Sequence, residues 1–485
     1  MKRMLLVALC ILAAGFTLAA EPTSQQNLFR YKLANGLELF VYRDASLPLA
    51  RVQLEFRAGA IAQTADDAGI FRLYERTLFQ GEVAHPGSAE IRAALADLGV
   101  SSIDGGTTAE RVSYWFTLPS AKTDAGLAFW ARMAESPPLQ AAAFDAAKSE
   151  CLAEAAAQVR DPAAVYEAAF TRRLFGKYPW RRDVVGSEAA LKPLDLHSLE
   201  ALRKTWFVPG NAAIFVGGDV DPEVVRASVE KYFGAWPSAP DPWKKSLPPN
   251  PKPGIWHPTW LVYPDPSMPE GSATVEARYR GPDLAYDPDS TYAADLWSSL
   301  VAPADGRFKT SMLKHVSGLQ GADSITAFYV SQRDAGWVSY GAAFSPDPGR
   351  RSSADLVHSF KERARGYEIT SMKVDPSYFS AEDYDAARSR LLRKRTAEIS
   401  TPDGMIGALS FWWAAASVDY FLGYPDRIAK TGPAEVSDFL ETYIMRNLEV
   451  VSVRMNPGDF ERERRVMENQ GFEVVRPDNA FWWQR

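Results

Sequence analysis

The sequence predicts an α+β fold built twice in tandem: two homologous units, each an antiparallel-rich sheet packed with helices. Three observations carry this. Residues 237–253 hold seven prolines in seventeen positions, from Pro237 and Pro240 to Pro251 and Pro253. That density excludes helix and interior strand, so 237–254 reads as an extended, semi-rigid linker. The pieces on either side, 28–236 and 255–485, open alike, with alternating strand-like runs leading into an apolar-periodic helix. They also end alike: an aromatic, three residues, an asparagine and then a buried strand recur at equivalent places. Duplication of one α+β unit accounts for that shared order.

The elements follow in sequence. Lys2 and Arg3 precede an uncharged apolar run, Met4 to Phe16, and Thr17-Leu18-Ala19-Ala20 offers small residues before Glu21. This order and length read as a secretory signal peptide over 1–20, because a membrane span needs about 20 apolar residues. The expected location is therefore exported, periplasmic or secreted, with no membrane association after cleavage. In the first unit, Leu37–Tyr42 and Ala50–Arg57 alternate as strands, 67–80 reads as helix, and Phe207-Val208-Pro209-Gly210-Asn211 leads into the strand 212–216. In the second, Trp260–Tyr263 and Ala273–Tyr279 read as strands and 287–301 as helix. Tyr443-Ile444-Met445-Arg446-Asn447 then leads into the strand 448–453.

Composition removes several function classes. The 485 residues are 46% hydrophobic and 24% charged, which excludes global disorder. A net charge of −6, from 54 basic and 60 acidic residues, argues against a nucleic-acid partner. Of two cysteines, Cys10 lies in the leader and only Cys151 follows it, so neither an intrachain disulfide nor a Cys-rich zinc module is expected. The clusters Phe411-Trp412-Trp413 and Phe481-Trp482-Trp483 read as core packing or a subunit interface.

Several stretches together resemble one known family. These are Lys32–Leu37, Phe56–Ala60, Gly69 through Gly81, Leu98-Gly99, Asp104-Gly105-Gly106-Thr107 and Tyr114. They continue through Glu154 with Asp161-Pro162, Tyr178-Pro179 with Gly186, Pro209–Asn211, and Gly217–Val220. In order and spacing the chain resembles the pitrilysin/insulinase zinc peptidases, best their processing-peptidase-like branch. The resemblance implies a two-lobed crescent. It also implies an inverted zinc motif, His-x-x-Glu-His on a helix, with the two His on one face, the Glu as general base and a later Glu as third ligand.

This sequence departs from that motif. The window reads Arg72-Leu73-Tyr74-Glu75-Arg76. Arg72 and Arg76 stand where the imidazoles would be, Glu75 keeps the base position, and Glu154 matches the third ligand. Ala147 replaces a supporting Glu. A guanidinium has no lone pair for a metal and stays charged. The five histidines, His85, His197, His257, His315 and His358, include no pair at ligand spacing. The resemblance therefore implies vestigial positions at Arg72, Glu75, Arg76 and Glu154, no catalytic residues, no zinc and no other cofactor. An ion cluster of all four side chains would replace the metal, since two carboxylates there would otherwise repel. The competing reading is four solvated surface charges.

The family holds peptide as an added strand beside an Asn-Ala-x-Thr stretch. Here Asp104-Gly105-Gly106-Thr107 stands there, so Asp104, Gly105 and Thr107 are weak substrate-binding candidates, with a plain turn as the alternative. In the second half, Lys314 takes the place of a substrate-gripping Arg, and Gly321 that of a Tyr. The expected function is a non-catalytic homologue, partner to a subunit with an intact zinc motif or a homodimer, that helps enclose peptide or unfolded protein. A peptide-binding scaffold without a peptidase partner, and an active zinc endopeptidase with atypical ligands, are the alternatives.

Overall fold

In the computed structural model, residues 27–79, 88–244, 259–345 and 352–484 are described. The leader with Cys10, the linker residues 245–254, His85 and His257 lie outside them. The first lobe joins β1 (Leu28–Lys32), β2 (Glu38–Arg43), β3 (Leu49–Phe56), β4 (Asp104–Thr107), β5 (Val112–Pro119) and β6 (Ala212–Gly218) in the order β1-β2-β6-β3-β5-β4. The second joins β7 (Thr259–Pro264), β8 (Ala273–Arg280), β9 (Ile325–Val330), β10 (Trp337–Phe344), β11 (Val450–Met455) and β12 (Glu473–Val474) in the order β12-β7-β11-β8-β10-β9. Five positions correspond one to one. The pairs β2–β6 and β7–β11 are parallel, and the strands from there to β4 or β9 are antiparallel. The sixth position differs: β1 runs antiparallel to β2, whereas β12 runs parallel to β7.

The recurrent asparagines act alike. Asn211 Nδ2 donates to the Trp206 carbonyl at 2.9 Å, and Asn447 Nδ2 to the Thr442 carbonyl at 2.7 Å. Each ties the entry of a central strand to the carbonyl five residues before it.

Strand alternation gives each sheet two different faces. On one face of the first sheet, Val52, Leu54 and Phe56 share a core with α1 (Ile70–Phe79), α2 (Thr123–Glu135) and α3 (Ala141–Gln158), around the buried Trp130. The next helix, α4 (Pro162–Leu174), leaves this lobe. Its Tyr166 and Phe170 pack with Leu261, Tyr263 and Val450 on the second sheet. The other face of that sheet, through Val275, Ala277 and Tyr279, packs on α5 (Pro288–Val301), α6 (Arg307–His315) and α7 (Ala381–Glu398). Then α8 (Pro402–Ala415) returns: its Met405, Ile406 and Trp413 pack with Phe40, Ala213 and Phe215 on the first sheet, and α9 (Val418–Lys430) follows. Both exchanged helices start with a side-chain cap, Asp161 or Thr401, and a proline in the first turn. Fully burying one large apolar side chain is worth roughly 1.5–3 kcal/mol, so these exchanged faces are major terms.

Polar stripes fix their alignment. On β3, Gln53 Nε2 donates to Ser410 Oγ of α8 at 2.7 Å, and Arg51 pairs with Asp403 at 3.0 Å. On β8, Arg278 grips the Glu167 carboxylate of α4 at 2.6 and 2.7 Å. The aromatic clusters pack within the chain. Trp413 lies against Phe215, with the Arg57 guanidinium 4.0 Å above its ring, and Trp482 donates to Asp183 at 2.7 Å. Among the described residues no single helix is long and apolar enough to cross a membrane, although α8 and α9 pass that test as a pair bent by 99°.

Candidate functional site

The start of α1 is held by backbone-level constraints. Gln63 Nε2 donates to the carbonyls of Trp180 and Asp183 at 2.7 and 2.5 Å, and its Oε1 accepts the Gly69 N–H at 3.0 Å. At Gly186, with φ +80°, an added Cβ would stand 2.0 Å from the Ala68 carbonyl oxygen. Only glycine allows that approach, so the two loops fix where α1 begins.

Helical spacing puts Arg72 and Arg76 on one face, opposite α3. Arg72 Nε donates to Glu154 Oε2 at 3.0 Å, and an Arg76 terminal nitrogen donates to the same oxygen at 2.7 Å. The other terminal nitrogen of Arg76 reaches Glu150 at 3.2 Å. Burial works against the charge on Arg72, but the hydrogen bond and charge of Glu154 outweigh it and raise its pKa. The pairs are half-buried: the side chains of Arg76 and Glu154 keep 13% and 29% of their surface exposed. They are neither simply solvated nor fully withdrawn from water.

The expected four-member cluster needs correction. Glu75 stays out of the hydrogen-bonded ion pairs, and Glu150 takes its place. Glu75 is buried, and its Oε2 accepts the Thr107 backbone N–H at 2.7 Å. One position along the helix turns it away from α3 and toward β4. Glu150 lies one turn before Glu154, on the face of α3 that Arg76 meets. That i,i+4 relation was the available signal for Glu150.

Asp104–Thr107 is a strand, not a plain turn. It is β4, the edge of the first sheet, with Gly105 opposite Tyr114 and Thr107 opposite Val112. Gly105 has φ +123°, and a Cβ there would stand 2.0 Å from the Ser113 carbonyl oxygen. Thr107 Oγ1 donates to the Phe71 carbonyl at 3.3 Å, so Glu75 and Thr107 stitch β4 to α1. Asp104 and Gly105 are exposed and Thr107 is buried. Lys314 is exposed on α6 in the other lobe, and Gly321 precedes the short turn into β9. Cys151 is buried on α3, and burial pushes its thiol up to about 11, which suits packing rather than nucleophilic attack.

A catalytic zinc needs three protein lone-pair donors and an open position. Of the three corresponding residues only Glu154 has donors to offer, and its Oε2 already accepts from both guanidiniums. These residues do not fit that metal. Among the described residues no group of three His, Cys, Asp or Glu side chains could hold a metal ion.

Residues 40–188 match the insulinase (peptidase family M16) profile, and residues 193–389 match the peptidase M16 inactive domain. No curated protein matches the chain. Among solved structures it is similar to the peptidase M16 inactive domain from Pseudomonas fluorescens, at 17% identity over 89% of this chain and 98% of that one, with a TM-score of 0.69. A protease from Helicobacter pylori is similar at 14% identity over 88% and 99%, TM-score 0.69. So is the first half of the periplasmic protease PqqL from Escherichia coli, at 15% identity over 90% and 94%, TM-score 0.70. At these identities the structural likeness establishes the fold, and the two profiles together span most of the sequence. This chain belongs to the insulinase family of peptidases, M16.

Proposed function

We propose that this chain is a non-catalytic insulinase-family subunit, exported, that partners an active metallopeptidase and contributes wall and peptide contacts to its chamber. The observation that carries the reading is the pairing of Arg72 and Arg76 with Glu154. Guanidiniums on the helix face where the family places its imidazoles, both engaging Glu154, support a chain without catalytic zinc. Likeness to the periplasmic protease PqqL and the leader-like N-terminus support export. The test is co-purification with a homologue that carries an intact His-x-x-Glu-His, followed by peptidase assays of each chain alone and of the mixture. Activity of the mixture beyond that of the homologue alone is the expected result. Chelator-sensitive cleavage by this chain alone would defeat the proposal.

One observation favours a second reading, a peptide-binding scaffold without a peptidase partner. The β4 edge places Asp104 and Gly105 at the surface while Glu75 and Thr107 anchor it from behind. Strand addition depends on backbone groups and survives loss of the metal. Peptide binding by a chain that captures no homologue would select this reading over the first.

A further inference from the structure

A cavity of about 350 Å³ opens in the second lobe, bounded by β9, α7, α8 and α9 and separate from the α1–α3 site. Asp295 of α5 lines it, enclosed by protein yet with surface left accessible. Its Oδ2 accepts the Tyr424 hydroxyl at 2.9 Å, and its Oδ1 has no hydrogen-bond partner among the described residues. Burial pushes this carboxyl up to about 6, against the Tyr424 hydrogen bond and the Lys394 charge.

The neighbouring cations do not neutralise it by contact. Lys394 is exposed on α7 and makes no ion pair within 4 Å of Asp295. Arg395 is turned to α9: it donates to the Phe421 carbonyl at 3.1 Å, and its guanidinium lies 4.3 Å from the Phe421 ring centre. The walls are aromatic, with Phe411 and Trp412 meeting edge to face at 5.1 Å and Phe421 and Tyr424 from α9. A deep carboxylate with a free oxygen asks for a cation. Aromatic faces favour an ammonium and cover an apolar body. The volume suits one small molecule or one chain end.

We propose that this cavity binds a primary ammonium carried on an apolar, phenyl-sized body, with Asp295 as counter-ion and Phe411 and Trp412 as walls. Both a free arylalkylamine and the N-terminus of a peptide that begins with an aromatic residue have this chemistry. The proposal does not depend on a peptidase partner.

The test is a titration of the full chain with phenethylamine, with the dipeptide amide Phe-Ala-NH2 and with the neutral isostere phenethyl alcohol, read by calorimetry or saturation-transfer NMR. Phenethylamine or the dipeptide should bind at least roughly tenfold tighter than the alcohol. The Asp295→Asn variant, which keeps an acceptor for Tyr424, should erase that ratio. Tighter binding of the dipeptide assigns the source as a peptide end, and tighter binding of phenethylamine assigns a free amine. Equal binding of amine and alcohol, no saturable binding of either amine by about 10 mM, or an unchanged ratio in a folded Asp295→Asn chain would overturn the proposal. If that variant fails to fold, the amine-to-alcohol ratio on the unmodified chain still decides.

Discussion

The Glu110 carboxylate of the first lobe accepts the backbone N–H of Arg333 in the second at 2.8 Å. It also accepts the Asp334 N–H at 3.3 Å, and Arg182 stands 3.6 Å away. Glu110 lies on the turn between β4 and β5, and Arg333 and Asp334 on the matching turn between β9 and β10. Equivalent loops of the two units thus meet face to face, and a buried charged cluster continues from them through Arg181, Arg280 and Asp283.

Burial pushes the Glu110 carboxyl up to about 7, against the opposing charge of Arg182 and the two backbone N–H groups. The folded chain therefore keeps a proton that the unfolded chain releases from about pH 4.5 upward. The contribution of Glu110 to stability falls as pH rises across that window. Denaturant unfolding at about pH 5 and pH 8 should show Glu110→Gln gaining on the native chain at the higher pH, by up to about 3 kcal/mol. An equal difference at both pH values would refute this.

The Arg76–Glu154 pair is partly exposed, so its worth is modest. A double-mutant cycle with Arg76→Ala and Glu154→Ala should give a coupling of about 1 kcal/mol. Arg76→Ala alone should cost about 1–2 kcal/mol, because Arg72 still holds Glu154. A coupling indistinguishable from zero would return these groups to ordinary surface charges.

Replacing both arginines by histidine removes two positive charges and frees Glu154. The Arg72→His/Arg76→His chain should take up about one zinc per molecule at pH 7, read by metal analysis after gel filtration, while the native chain takes up none. Stoichiometric zinc in the native chain would sink the reading of these positions as vestigial.

Gly105 tolerates no Cβ in its present geometry. Gly105→Val should destabilise the chain by about 2–4 kcal/mol and raise amide exchange along β4 and its β5 partner. Glu75→Ala should loosen the same strand by about 1–3 kcal/mol, because it leaves the Thr107 N–H buried without its acceptor. Unchanged exchange at β4 in both variants would contradict the stitched edge described above.

Much of this was legible in residue order. Strands 37–42 and 273–279 and the helix at 287–301 lie within a residue or two of β2, β8 and α5, because alternation and helical periodicity are local signals. The grouping of Arg72, Arg76 and Glu154 came instead from the resemblance to the family's motif, not from periodicity. The direction of Glu75 was not legible, since one step along α1 decides whether it meets α3 or β4, and only the packed structure sets that rotation. The exchange of α4 and α8 was also hidden. Their apolar faces show in the sequence, but nothing local says which sheet they cover. The polar alternation Arg51, Gln53, Glu55 within a strand was the one clue that this face meets a partly polar neighbour.

That exchange has a mechanical consequence. Each half borrows from the other the layer that seals one side of its sheet, so swinging the halves apart would strip two apolar surfaces at once. Opening a hinge between the halves would expose both surfaces to water, at roughly 1.5–3 kcal/mol for each large apolar side chain uncovered.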